Sequence, residues 1–122
     1  MSTEEWIFSV VDSFYSKARN DVLIGYHFRN IADFDEHIPR IATFWDFQLT
    51  GKSSRPVTHP YDMIGAHTPL HLKRGELGRW LVLFRKTMDE KVKEHPEMKE
   101  LAELWEQRLQ VFEGIFLRAF RL

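Results

Sequence analysis

Three side chains with hydrogen-bonding tips fall on otherwise apolar helical stripes. Tyr15 follows Phe14 and lies four residues after Val11; His37 lies three after Phe34 and four before Ile41; Trp80 has the same spacing between Leu77 and Phe84. A phenol hydroxyl and an indole N–H donate hydrogen bonds, and an imidazole donates from at least one nitrogen. Buried groups of this kind need partners. Each alone reads more readily as a satisfied core residue. On three different helices they could converge on one enclosed polar ligand.

Metal and nucleophile chemistry narrows quickly. The histidines are His27, His37, His59, His67, His71 and His95. His67 and His71 have the i, i+4 spacing of a helical metal pair, but Pro69 between them argues against a regular turn. No Glu lies three residues before a His or four after one, which removes the Glu-x-x-His pairs of di-iron bundles and the spacing of hemerythrin-type sites. His-Glu-x-x-His is absent as well. With no cysteine, disulfides, thiolate catalysis and Cys-ligated metals are excluded. What remains is a site where the protein supplies one imidazole and another group supplies the other ligands; haem iron held by a single His is the familiar case. No Gly-x-Ser-x-Gly elbow surrounds any serine. Gly51-Lys52-Ser53 lacks the upstream glycine of a phosphate-binding loop. No catalytic residue is nominated.

The elements that must position these groups are helical. Ser2 with Glu5 fits a capping box, and Ile7, Val10, Val11, Phe14, Tyr15 and Ala18 then share a face. Asn20-Asp21 ends or kinks this helix, and Gly25 permits a tight turn before Phe28. Asp33 with Glu36 starts a second helix with Phe34, His37, Ile38, Ile41, Phe44, Trp45 and Gln48 on one face and Gly51 at its end. Thr50 to Pro60 reads as a loop. After Pro69 comes a stripe of Leu77, Trp80, Leu81, Phe84 and Met88. His95-Pro96-Glu97 breaks this third helix and starts the last, with Pro96 at its first position. There Leu101, Leu104, Trp105, Phe112, Ile115, Phe116 and Ala119 carry the apolar face. No period-two strand pattern occurs. The expected fold is all-α, one domain over residues 1–122.

Composition agrees and sets limits. Apolar residues are 43% and charged residues 29% of 122, ample for a core. Ten Phe and four Trp raise aromatics to 14%, enough to fill a core or to line a pocket for a large flat ligand. A net charge of −1 offers no basic excess for nucleic acid. The longest stretch free of acids and of Lys or Arg is ten residues, Met63 to Leu72, about half a bilayer span. The acidic start, Met-Ser-Thr-Glu-Glu, does not read as a signal peptide. The expectation is a cytoplasmic protein with neither a membrane nor a nucleic-acid partner.

The order Phe14-Tyr15, Phe28, His37-x-Pro39 with Phe44-Trp45, His67-x-x-Leu70, and Trp80-Leu81-x-x-Phe84 resembles that of the truncated haemoglobins, most of all their group III. The likeness runs through nearly the whole chain. It implies a truncated-globin fold, a two-over-two helical sandwich around haem b (iron protoporphyrin IX). The helices of Tyr15 and His37 would form one pair, those of Trp80 and Phe112 the other. His67 matches the proximal iron ligand, and Tyr15, His37 and Trp80 match the distal residues facing a bound gas. Phe28 matches an aromatic that packs on the haem, Phe14 and Ile41 line the distal cavity, and Phe84 joins the cofactor-binding set. Lys52, Arg55, His59 and Arg74 are candidates for the haem propionates. Around Arg55-Pro56-Val57-Thr58-His59-Pro60-Tyr61 the chain departs from the Tyr-x-Gly-x-Pro-Met-like stretch frequent in the family.

The implied function is binding of O2, and of NO or CO, at a five-coordinate haem iron. Redox chemistry on nitric oxide or peroxide would extend it and would need an external electron donor. A net ~1 kcal/mol per hydrogen bond lets two donors slow oxygen release on the order of 30-fold. Such a pocket holds oxygen rather than delivering it. A gas-sensing globin without turnover and a cofactor-free helical bundle are the alternatives.

Overall fold

Ser2 Oγ accepts from the Glu5 N–H at 3.1 Å, and Glu5 Oε1 accepts from the Ser2 N–H at 3.2 Å, closing the box that starts α1 (Thr3–Ala18). Glu4 and Glu5 in the first turn and Lys17 in the last also suit the helix dipole. The computed structural model describes residues 1–29, 31–52 and 62–122. Beyond α1 the chain doubles back through a 3-10 turn, Gly25–Phe28. A Cβ on Gly25 would lie 2.9 Å from the Arg19 carbonyl oxygen, so this return requires glycine.

Asp33 caps α2 (Phe34–Thr50) by accepting from the Glu36 N–H, and Gly51 ends it at φ 72°, a left-handed position suited to glycine. Asp62 caps the short α3 (Met63–His67), accepting from the Gly65 N–H at 3.0 Å. A 3-10 turn, Thr68–Leu70, follows and stops at His71, which has φ 51°. His67 and His71 therefore do not share a helical face. Two long helices close the chain, α4 (Arg74–Glu94) and α5 (Lys99–Ala119). Every regular element among the described residues is helical, and no described helix is long and apolar enough to cross a membrane.

The four long helices contact each other in a ring: α1 packs on α2 and α4, and α5 packs on α4 and α2. Trp6 and Trp105, both fully buried, meet edge to face with centroids 6.1 Å apart, and Trp45 stands 5.4 Å from Trp105. The Trp6 indole donates to the Lys91 carbonyl at 3.2 Å, tying the start of α1 to the end of α4.

Two expectations for the last helix need correction. Pro96 opens a 3-10 turn, Pro96–Met98, and α5 begins only at Lys99; proline's fixed φ suits either helix, so it marks a start without choosing the type. Leu104 and Ala119 are exposed, whereas Leu109 is buried. Trp105 and Phe116 of the expected stripe are buried, and Leu109, outside that stripe, joins them on the buried face.

Candidate functional site

Beside the tryptophan cluster the interior holds a partly open cleft with about 70 Å3 of room. This is well below the range of about 300–1,000 Å3 usual for small-molecule sites, so a large ligand would have to spread the lining to enter. All five helices contribute. Phe14 and Tyr15 come from α1, Ile41 and Trp45 from α2, Met63 and His67 from α3, Trp80 and Phe84 from α4, and Phe112, Glu113 and Phe116 from α5. Six of the eight nominated residues line it: Phe14, Tyr15, Ile41, His67, Trp80 and Phe84.

The other two stand immediately behind. His37 Nε2 lies 3.1 Å from the Tyr15 hydroxyl, with the two rings edge to face. Phe28 is buried against Trp80, centroids 5.0 Å apart, and against Tyr15 at 5.4 Å. Phe28 thus braces two cleft residues and does not line the cleft itself. Its turn is fastened to α4 at Glu76, which accepts from the Tyr26 hydroxyl and lies 3.1 Å from His27 Nε2. Glu76 also accepts from the Lys73 N–H at the start of α4. Trp80 is held on that same helix.

His67 has the electronic form that metal ligation needs. Its Nδ1 lies 2.6 Å from the Met63 carbonyl oxygen. A carbonyl only accepts, so Nδ1 carries the hydrogen and donates. Nε2 of the neutral ring then keeps its lone pair, and no described residue occupies it with a hydrogen bond. A backbone carbonyl orienting the ring in this way is the usual support for a ligating histidine. Burial holds the His67 pKa below its ordinary value of 6.5; the Met63 bond opposes that shift, and charge on His27 adds to it. His37 is lowered too, by burial first and then by the charge of Arg40 and of His67. Both rings are neutral at pH 7. Neutral His37 can accept from Tyr15 or donate to it.

Two features bear on what could enter. The indole N–H of Trp80 donates to no described residue. The His67 ring touches Trp80 and Phe116, with centroids 5.6 and 5.0 Å away. A flat ring in van der Waals contact on both sides needs roughly 7 Å, twice the ~3.5–4.0 Å contact distance. Seating one between His67 and Trp80 therefore requires them to part. The element free to yield is α3, five residues with none buried, rather than the 21-residue α4.

Comparison of the chain with protein-family models, curated proteins and solved structures found no match. The site must therefore be read from its own chemistry. No group of three or more His, Asp or Glu among the described residues could hold a bare metal ion. One oriented imidazole facing an apolar aromatic cleft suits instead a prosthetic group that brings its own metal and remaining ligands. Lys52 and Arg74 are exposed and away from the cleft lining. Arg55 and His59 lie outside the described residues.

Sequence reasoning missed Trp45, Met63, Leu72 and Glu113 as cleft residues. Glu113 carried a faint signal, since it follows Phe112 and precedes Phe116 by three on the inner stripe. Met63 opens the short α3 and Leu72 follows the 3-10 turn after it, where no periodicity could assign a face.

Proposed function

We propose that this chain is a haem protein of the truncated-haemoglobin kind, with its four long helices as a two-over-two sandwich and His67 as the residue that would hold the iron of haem b. The observation that carries the reading is the His67 ring. It is neutral, oriented by the Met63 carbonyl through Nδ1, and leaves Nε2 unbonded at the wall of an aromatic cleft. When bound, haem iron would supply an open coordination position for O2, NO or CO.

The protein's own groups do the rest. Phe14, Ile41 and Phe84 keep the cleft apolar, so a hydrogen bond inside it is stronger than the same bond in water. Trp80 offers an unused indole N–H, and Tyr15, held by His37 at 3.1 Å, offers a hydroxyl. A diatomic ligand that gathers negative charge at its outer atom is stabilised by such fixed donors. Phe28 steadies Tyr15 and Trp80 from behind. Binding is the base activity, in a cytoplasmic setting; turnover of nitric oxide or peroxide would draw on an external electron donor.

The contact of His67 with Trp80 and Phe116 favours a second reading, a helical bundle that holds no cofactor. One experiment separates the two. The wild-type chain and His67→Gly are loaded with protohaem and passed through gel filtration. Wild type should emerge with the haem, the variant without it, and added imidazole should partly restore retention. Equal loss from both chains supports the bundle. Equal retention in both moves the ligand elsewhere, to His71 first.

A further inference from the structure

Among the described residues, Glu113 and His67 are the Asp, Glu, His, Lys or Arg side chains that line the cleft. Glu113 sits on the inner stripe of α5 with Leu109, Phe112 and Phe116, is half-buried, and has no hydrogen bond or ion pair to any described residue. Its half-buried carboxylate borders an apolar lining with no cation among the described residues to offset its charge. Such a charge acts by repulsion on whatever enters. We infer that Glu113 is a specificity-determining residue that turns the anionic groups of a flat apolar ligand away from the α5 wall, so that this wall receives an uncharged edge. The inference rests on the haem reading, in which the ligand carries two carboxylates.

Like charges near a protein surface, partly screened at ordinary ionic strength, repel enough to change an equilibrium by roughly a few-fold. The test compares protohaem with its dimethyl ester, which has the same ring and no carboxylate charge. Release of each to an excess of a haem-scavenging protein is timed for wild type and for Glu113→Gln, a near-isosteric neutral change. Protohaem should leave the variant about threefold more slowly, while release of the ester is the same from both chains. The protohaem difference should shrink in 1 M salt, where screening reaches within about 3 Å. Equal shifts for both porphyrins, or no shift for protohaem, overturn the inference and leave the haem reading standing. Retention of neither porphyrin by wild type overturns both.

Discussion

Trp105 and Trp80 belong to the same interior but meet different neighbours. Trp105 is fully buried among Trp6, Trp45 and Phe84, with ring centroids between 5.3 and 6.1 Å away. Its indole N–H is buried without an acceptor among the described residues, an arrangement that costs about 1–3 kcal/mol and has to be offset by packing. Trp80 is half-buried; it meets His67 at 5.6 Å on the short α3, and the buried Phe28 and Phe14 at 5.0 and 6.0 Å, both touching Tyr15. One indole fills space and the other lines it. The same residue type therefore packs the core in one region and lines a cleft in the other, and substitutions should separate the two settings.

The largest effect should come from the closed region. Trp105→Ala leaves a cavity and should destabilise the fold by about 3–5 kcal/mol in urea unfolding. A loss below 1 kcal/mol would mean that this cluster is not the centre of the core. Next is the gain from filling the cleft. Protohaem at a hundred times its Kd should stabilise the chain by about 2.7 kcal/mol. Equal melting temperatures with and without it would erase the distinction between a lining and a filling indole.

Smaller effects should follow from the polar tips. Tyr15→Phe removes the bond to His37 and should cost about 1 kcal/mol, since water can reach half-buried His37. In the haem-loaded chain, Tyr15→Phe and Trp80→Phe should each speed O2 release several-fold by stopped flow. Rates unchanged in both variants would remove the donors from the account. The smallest effect is on acid stability. Folding holds the pKa of His37 and His67 below 6.5, whereas the unfolded chain takes up protons at the ordinary value. Their contribution is thus intact above pH 6.5 and declines as the pH falls below it. Melting temperature should drop over that window, and less steeply in His67→Gln.

The closed region was the easier to read from sequence. The Ser2–Glu5 box and the Asp33 cap are local, so residues three apart suffice to announce α1 and α2. Even there, periodicity was imprecise at single positions: the stripe caught the buried Trp105 and Phe116, took in the exposed Leu104 and left out the buried Leu109. Tyr15, His37 and Trp80 were legible because they interrupt long apolar stripes. His67 was not legible in that way: α3 has five residues, contains Gly65, and is followed at once by a 3-10 turn. Only the likeness to a known order of residues singled it out. Its bond to the Met63 carbonyl then appears in three dimensions and in no spacing rule, although the two residues are four apart.

The most direct test is the absorption spectrum of the purified chain loaded with protohaem, reduced, and exposed to carbon monoxide. The account predicts a Soret band that shifts sharply with the gas in wild type and differs in His67→Gly until imidazole is added. A wild-type spectrum identical to that of free haem, with no difference between the two chains, would contradict it.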